Sequence, residues 1–403
     1  MLRLMTAGES HGPAVMAILE GLPAGIPVTQ AAIDHQLARR QTGYGRGSRM
    51  QIEHDRAEVL GGIRFGRSLG SPVALLIRNR DHANWQDQMA VWGEPPPSYQ
   101  PVTRPRPGHA DLAGLIKYAA VDVRDILERA SARETAARVA AGAVARRLLE
   151  ELDIGLCSQI TAVGGVAADP AALDWPQGDV PAYLAWQDTV DRTPLRCSCP
   201  AASQEMVRAI DHAGAAGHSL GGAFEVRSSP LPPGLGSHTQ WDRRLDAALG
   251  AALLSIQAIK AVAIGDALAQ SFEPGSRAHD GIALEGGRLV RTTNRAGGLE
   301  GGISNGEPLV VTCYMKPIAT QRQPLDTVDL AAWSPAAAVT ERADICAVPA
   351  AAVVAEAMVA ITLASAALVK FGGDSLSEVR RNLRGYLADW PAGLRGFGPG
   401  ASP

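Results

Sequence analysis

The chain has 403 residues, of which 46% are hydrophobic and 20% charged, and its formal net charge is −3. This length suits two or three domains or one large layered domain, and the composition is that of a globular protein. The small negative charge excludes a general nucleic-acid binder, which would carry a basic surface and a high pI.

The cysteines and the apolar stretches favour a cytoplasmic protein. The five cysteines include one close pair, Cys197 and Cys199, whose spacing fits neither a disulfide framework nor a zinc site. No long apolar run precedes Glu9, so no signal peptide is predicted. The two longest apolar stretches, 247–269 and 350–369, are rich in alanine and contain polar or charged residues. They predict buried helices rather than membrane spans.

The first part of the chain alternates short apolar runs with turn residues, a pattern typical of strands. Strands are predicted at residues 2–6, 14–19, 58–63 and 72–77. A polar, proline-bearing loop over 79–103 comes next. Apolar residues at helical spacing then predict a long helix within 121–152.

The second part mixes helices and strands. Strands are predicted near 160–166 and at 224–228, a surface excursion over 168–200, a helix over 206–216, and buried helices over 247–269 and 350–369. Strands at 281–291 and 308–315 are predicted to pair around a glycine-rich loop. An amphipathic helix over 375–388 precedes a flexible tail, 390–403. Antiparallel strands beside long buried helices predict an α+β layered fold, with residues 1–403 in a single domain.

A basic segment, 39–49, stands out in this slightly acidic chain. It contains four arginines and three glycines, and no carboxylate lies between Asp34 and Glu53. Glycines allow the backbone to approach a ligand closely, and guanidinium groups bind phosphates and carboxylates. The segment is interpreted either as a clamp for a small polyanion or as a solvated basic loop.

Two histidines lie in motifs that can present them to a ligand. His11 sits between glycines directly after the first strand, where it can act as a general acid or remain an ordinary turn histidine. His109 follows Arg106 in a segment whose two prolines fix the backbone, so that Arg106 is held rigidly. The alternative for this second motif is a proline-rich surface loop.

Two further motifs suit phosphate, and a third adds an arginine and a carboxylate. Ser131 and Glu134 have the spacing of a capping box, and a helix that begins at Ser131 would offer free N–H groups, whereas an uninterrupted helix would not. Lys316, one of only four lysines, ends a predicted strand. Arg342 and Asp344 precede the last buried helix. An ordinary strand cap and a helix-entry ion pair are the alternatives for these last two motifs.

Several familiar motifs do not occur in the sequence. The chain has no P-loop, no His-Glu-x-x-His, no Gly-x-Ser-x-Gly and no Rossmann fingerprint in a strand-turn-helix context. Nucleoside triphosphate, zinc and serine-hydrolase chemistry therefore lack their usual motifs, and no metal site is predicted.

Taken together, these motifs resemble the chorismate synthase family. The resemblance covers nearly the whole chain, through the segments 8–12, 39–49, 104–111, 128–135, 240–242, 316–320 and 370–374. It implies a cytoplasmic homotetramer whose subunit is a β-α-β sandwich, with long buried helices between antiparallel sheets. It also implies a lyase of the shikimate pathway of aromatic amino acid biosynthesis. This enzyme converts 5-enolpyruvylshikimate 3-phosphate to chorismate by 1,4-anti elimination of phosphate, using reduced FMN without net redox change. NADPH would act only indirectly, through a separate flavin reductase.

The resemblance also implies roles for individual residues. His11 would protonate the departing phosphate, His109 would stabilise the reduced flavin, and Asp344 would assist proton removal. The implied substrate or oxyanion ligands are Ser10, Arg40, Arg46, Arg49, Arg106, Arg133 and Arg342, with Arg40 and Arg46 also linked to NADP. The implied FMN contacts are Arg129, Ala130, Ser131, Gln257, Ala258, Gly301, Lys316, Pro317, Ile318, Ala319, Thr320 and Arg342.

The chain departs from the family pattern at a few positions, and none of them removes an implied catalytic group. Ala343 replaces the usual Ser or His, Ala261 and Ala263 stand where Gly and Glu are usual, and Val121 and His218 replace acids. Two other functions are considered. One is a flavin reductase, which would need a nicotinamide site, and the other is a non-catalytic or repurposed paralogue that binds FMN or a phosphometabolite.

Overall fold

The structure is a computed structural model that describes residues 1–47, 54–340 and 344–391. Its strands are β1 Arg3–Gly8, β2 Ala14–Glu20, β3 Ala57–Gly61, β4 Ile63–Arg64, β5 Arg67–Ser68, β6 Val73–Arg78, β7 Leu156–Val163, β8 Val166–Ala167, β9 Gly222–Pro230, β10 Ile259–Ile264, β11 Ile282–Glu285, β12 Arg288–Arg291, β13 Leu299–Glu300, β14 Ile303–Ser304, β15 Pro308–Met315, β16 Asp326–Asp329 and β17 Ser334–Ala337. Its α-helices are α1 Gln30–Gln41, α2 Asp111–Tyr118, α3 Arg124–Ala130, α4 Thr135–Glu150, α5 Val180–Asp191, α6 Pro200–Ala215, α7 Leu245–Leu254, α8 Ala267–Gln270, α9 Gly275–Ala278, α10 Val348–Phe371 and α11 Leu376–Ala388.

Two antiparallel sheets enclose a layer of helices. The first sheet has the strand order β1-β2-β6-β3, and the second has the order β10-β15-β9-β7-β8. Helices α1 and α4 lie on the side of the first sheet, whereas α7 and α10 lie on the side of the second, and α4 packs along α10. The predicted β-α-β sandwich is therefore confirmed, with long buried helices between antiparallel sheets.

The contact between α4 and α10 is close because small residues face each other. A Cβ atom at Gly142 of α4 would lie 2.6 Å from the Cα atom of Ala357 in α10. Among the described residues, α10 is the one helix long and apolar enough to cross a membrane, and 78% of its most apolar stretch is buried inside the protein. A helix that is apolar on all sides and packed in this way is a core helix.

One apolar core joins the two sheets and the helices. Its residues come from the whole described sequence, the first being Leu2 and the last Leu383. The predicted helices at 350–369 and 375–388 are confirmed as α10 and α11, and Ser375 caps α11 in a capping box with Glu378. The strands predicted in the first half of the chain are also confirmed.

The predicted buried helix over 247–269 is wrong. Helix α7 ends at Leu254, Ala258 has a positive φ of 66°, and residues 259–264 form β10, which pairs with β15. The alanine- and leucine-rich part of the stretch forms the helix, whereas Ile259, Val262 and Ile264 are β-branched residues that favour a strand.

The pairing predicted between 281–291 and 308–315 is also wrong. Strands β11 and β12 form their own hairpin across Gly286 and Gly287, and β15 lies instead between β9 and β10. A Gly-Gly turn between short apolar runs is typical of such a local hairpin. The excursion over 168–200 contains α5, which packs against β7 and buries Tyr183 and Val190.

Candidate active site

A cavity of about 580 Å³ opens where both sheets and the helix layer meet. It falls within the usual size range of small-molecule sites. Its lining comes from the turn after β1, the end of α1, the loop before α2, the break between α3 and α4, the connection from α7 to β10, the end of β15 and the start of α10. The described cations in this lining are Arg40, Arg46, Arg106, Arg133, Lys260 and Lys316, and the described carboxylate is Asp344.

Arg40 and Arg133 share one buried carboxylate. Asp55 accepts hydrogen bonds from Arg40 at 3.3 Å and from Arg133 at 2.5 Å. Arg40 also donates to Thr135 and to the carbonyl of Ala132. Burial lowers the pKa of Arg40 to about 10, and Asp55 opposes that shift. The group therefore remains charged at neutral pH, and desolvation strengthens its attraction for an anion.

Arg46 lies beside Asp344, just before the N-terminus of α10. Its guanidinium is 3.0 Å from the Asp344 carboxylate, which also accepts the backbone N–H of Gly47 at 2.7 Å. The basic segment and the segment before α10 are thus held together by this carboxylate. Arg49 and Arg342, which were predicted to bind the same anion, lie outside the described residues.

His109 and Arg106 are both held by Asp111, the first residue of α2. Asp111 accepts from the Arg106 backbone at 3.0 Å, from Arg106 Nε at 2.9 Å, and bonds to His109 Nδ1 at 2.5 Å. Burial alone would raise the pKa of Asp111, but hydrogen bonds from His109 and Arg106 hold it well below its usual range. The Asp111 carboxylate therefore fixes the orientation of Arg106 and His109 in the cavity.

The end of β15 completes this side of the cavity. Lys316 donates from Nζ to the carbonyl of Gly108, whose φ is 78°, and Thr320 accepts from Arg106 at 3.3 Å. The positive φ explains why a glycine precedes His109, because other residues rarely adopt that conformation. Ile318 and Ala319 also line the cavity.

His11 is nine-tenths buried and held by Glu128 of α3. The Glu128 carboxylate accepts the backbone N–H of His11 at 2.9 Å and lies 2.9 Å from its Nδ1 atom. Burial would raise the pKa of Glu128, but its hydrogen bonds with His11 lower it. With Nδ1 held by a carboxylate, Nε2 is the ring atom that can exchange a proton with a ligand in the cavity.

The long helix predicted over 121–152 is interrupted at Ser131. Ser131 is extended and accepts from the N–H of Arg133, and a 3-10 turn over Ala132–Glu134 leads into α4. Of the two alternatives for this segment, the structure therefore has the new helical segment that begins after Ser131, and Glu134 pairs with Arg138 and accepts from Gln257. The break places Ala130 and Ser131 in the cavity lining, and Ser131 also donates to Ser10.

Gln257 and Ala258 line the cavity at the start of β10. The buried Oε1 atom of Gln257 finds no hydrogen-bond donor among the described residues. A buried acceptor without a donor is costly, so a ligand that brings an N–H or O–H group would satisfy it.

Three residues implied as FMN contacts lie away from this lining. Arg129 points to the end of β1, where it donates to the carbonyls of Gly8 and Thr6. Pro317 lies between two lining residues without being one. Leu245, the first residue of α7, donates its N–H to the carbonyl of Gly302, the neighbour of Gly301. The cavity lies at the other end of α7, where Leu254 lines it. The ten residues of α7 span about 15 Å, so Gly301 does not reach this cavity within one chain.

Sequence reasoning missed the groups that hold the cavity side chains. Glu128, Asp55 and Asn79 are buried and bond to His11, Arg40 or Arg133. Isolated carboxylates and amides carry no motif, and their partners lie far along the chain. Only the general rule that buried charges are paired pointed to their existence.

The chain is similar to known proteins along most of its length. The chorismate synthase family model matches residues 2–368. The chorismate synthase of Trichlorobacter lovleyi is 55% identical over 404 residues, covering 98% of this chain and 100% of that protein. The chorismate synthase of Symbiobacterium thermophilum is 54% identical, covering 96% of this chain and 98% of that protein. A crystal structure of chorismate synthase superposes with a TM-score of 0.74 at 41% identity, covering 96% of this chain and 97% of that one.

The β-α-β sandwich and its cationic cavity with two carboxylate-held histidines define a protein built to bind a small polyanion beside acid-base groups. The family match over most of the chain and the close relatives make the assignment specific. The chain belongs to the chorismate synthase family.

Proposed function

We propose that the chain is a lyase that converts 5-enolpyruvylshikimate 3-phosphate to chorismate and phosphate with reduced FMN. The observation that carries the proposal is the convergence of six cations on one cavity that also contains His11 and His109. These residues come from segments far apart in the sequence, so their convergence requires the fold.

The cavity has the charge that the substrate needs. The substrate carries two carboxylates and a phosphate, and charge-assisted hydrogen bonds contribute roughly 1.5–3 kcal/mol each. Arg40, Arg46 and Arg133 are held by Asp55 and Asp344, so their guanidinium groups lose little further freedom when the anion binds. We assign the substrate anion to this side of the cavity.

The opposite side fits FMN. Lys316 and Thr320 at the end of β15 suit its phosphate, and the unsatisfied acceptor of Gln257 suits an N–H group of its ring. Gly108 lets the backbone approach closely before His109. When bound, reduced FMN supplies an electron-rich ring for an elimination that leaves no net redox change.

His11 has the geometry of the general acid. When the carbon–oxygen bond breaks, the departing phosphate oxygen keeps the electron pair and takes the proton from Nε2, while Nδ1 remains bonded to Glu128. Asp344 is the carboxylate in the described lining, and it is the group that assists proton removal. His109, held by Asp111, contributes a fixed imidazole to the flavin side.

The proposal extends to the setting of the enzyme. It includes a cytoplasmic homotetramer, a separate flavin reductase and NADPH as an indirect reductant only. The family resemblance links Arg40 and Arg46 to NADP. We assign them to the substrate, because both line the cavity and are held there by Asp55 and Asp344.

An anaerobic turnover assay tests the function. FMN is photoreduced without oxygen, 5-enolpyruvylshikimate 3-phosphate is added, and phosphate release and chorismate absorbance are followed, with oxidised FMN as the control. Turnover with reduced FMN alone supports the proposal. Tight binding of both ligands without product would contradict it and support a binding paralogue, and consumption of NADPH without added reductase would indicate a flavin-reducing activity.

A further inference from the structure

His11, Glu128, Arg124 and Trp85 form a closed ring of four side chains. Glu128 bonds to the His11 backbone and ring, and Arg124 pairs with Glu128 at 2.8 Å. The Arg124 guanidinium lies 5.0 Å from the centre of the Trp85 ring, and the Trp85 ring lies 4.1 Å from the ring of His11. His82 adds a bond from its ring to the His11 carbonyl at 2.9 Å.

From this ring we infer that Glu128 is a positioning residue for His11, and that the pair Glu128–Arg124 sets the pH range over which His11 can donate its proton. The inference rests on the proposed function, in which His11 is the general acid. None of the four ring members other than His11 lines the cavity among the described residues, so they act on the reaction through His11.

Burial gives this arrangement its strength. The Glu128 side chain is 2% exposed and that of His11 is 11% exposed. In such surroundings a charge interacts more strongly with its neighbour than it does in water. A carboxylate bonded to Nδ1 fixes the tautomer and the orientation of the ring, as carboxylate partners of histidine do elsewhere.

Arg124 weakens the negative charge that Glu128 presents to His11. Its guanidinium donates to Oε1 of Glu128, partly offsets the negative charge of that carboxylate and lies over the ring of Trp85. The charged or titratable groups that face His11 are then Glu128 and Arg124 from α3 and His82 from the 3-10 turn over Arg80–Asn84, together with the cavity cations. Only Glu128 bonds to the His11 ring among the described residues, so it is the group whose charge the ring senses most directly.

The proton transfer itself is simple to balance. The bond between Nε2 and its hydrogen breaks, the phosphate oxygen gains that proton, and the imidazole is left neutral with its Nδ1 hydrogen still bonded to Glu128. No electron transfer is involved in this step, and solvent restores the proton between turnovers.

The test uses the pH profile of kcat, measured anaerobically with photoreduced FMN. Glu128→Gln retains an acceptor for Nδ1 but removes the charge, so the basic limb of the profile is expected to move about 1–3 pH units lower, the usual effect of losing a close opposite charge. Arg124→Gln leaves the Glu128 charge unshared, so the limb is expected to move to higher pH. Glu128→Asp is expected to restore part of the wild-type profile.

Controls separate positioning from folding. Asp125→Asn changes a neighbouring exposed carboxylate on α3 and is expected to leave the limb in place. Circular dichroism and FMN titration check that each variant folds and binds. Opposite shifts for Glu128→Gln and Arg124→Gln support the inference, whereas unchanged limbs in variants that fold and bind FMN would overturn it. Absence of turnover in the wild-type protein would instead defeat the proposed function.

Discussion

Arg39 and Arg40 are consecutive residues in the last turn of α1, yet their guanidinium groups lie in different parts of the molecule. Arg39 pairs with Glu356 at 2.7 Å inside the helix layer, whereas Arg40 reaches the cavity and pairs with Asp55 at 3.3 Å. Arg196 donates to the carbonyl of Arg39 and so holds the same turn. The end of α1 therefore connects the core to the site, because one turn of helix carries both ion pairs.

Replacing Glu356 by glutamine is expected to destabilise the fold. Glu356 is 2% exposed and pairs with Arg39 and Arg146, so the substitution removes the buried charge that both cations share, while Asp191 stays beside Arg39 and Glu150 beside Arg146. Loss of a buried partner typically costs about 3–5 kcal/mol. The free energy of unfolding, measured by urea denaturation at pH 7, checks this value. A loss under about 1 kcal/mol, the value of an exposed pair, would contradict it.

The same carboxylate predicts an acid-sensitive component of stability. Burial alone would raise the pKa of Glu356, but Arg39 and Arg146 lower it from 4.5 to about 2. Because the folded-state pKa is lowered, the contribution is fully present above pH 4.5 and disappears as the pH falls toward 2. Unfolding free energies measured across this window are expected to fall less steeply in Glu356→Gln than in the wild type. Parallel slopes would exclude the coupling.

Arg40→Lys is expected to weaken substrate binding although it keeps the charge. Arg40 uses three nitrogens to bond Thr135, Asp55 and the Ala132 carbonyl, and an ammonium cannot reproduce that planar set. Loss of one charge-assisted bond, worth roughly 1.5–3 kcal/mol, corresponds to a KM increase of about 10- to 150-fold. Steady-state kinetics measure this increase, with the exposed Arg56→Lys as the matched control. An unchanged KM for Arg40→Lys would remove Arg40 from the substrate site.

His11→Ala and Lys316→Ala are expected to separate catalysis from cofactor binding. Removal of a general acid typically lowers turnover by about 10²–10⁴-fold, and FMN affinity is expected to change little. Lys316→Ala is expected to weaken FMN binding first, because the lysine lies at the end of β15 beside Gly108. FMN fluorescence titration and single-turnover rates measure the two effects. The reverse order of effects would reject both role assignments.

Gly142→Ala is expected to destabilise the helix layer. Alanine favours a helix by about 0.5–1 kcal/mol over glycine, but overpacking costs about 1–3 kcal/mol. The added methyl group would lie 2.6 Å from the Cα atom of Ala357, which cannot move without shifting α10. Gly385→Ala in α11 is the control, because its new methyl group meets nothing within 4 Å. Thermal melts are expected to show a lower Tm for the first variant and an unchanged or higher Tm for the second.

Much of the fold was predictable where a local pattern has one structural solution. The alanine-rich stretch at 350–369 is apolar on every side and forms the core helix α10, and the amphipathic stretch at 375–388 forms α11. The helix predicted over 247–269 was wrong because the helical part of this stretch is followed directly by β-branched residues. There the hydrogen bonds of β15 decide the conformation, and they come from residues more than forty positions away.

The candidate site divides in the same way. His11, His109, Arg40 and Lys316 belong to glycine- or proline-bearing motifs, so sequence reasoning selected them, and the structure brings them to one cavity. Glu128 belongs to the implied family segment but had no assigned role, since nothing local indicates that it faces His11. Its function depends on a contact across 117 positions in the chain.

A crystal structure of the protein with FMN and 5-enolpyruvylshikimate 3-phosphate tests the central assignment most directly. We expect the flavin phosphate near Lys316 and Thr320, and the substrate's anionic groups within hydrogen-bond distance of Arg40, Arg46 and Arg133. Both ligands bound elsewhere, with these cations facing only water, would contradict the account.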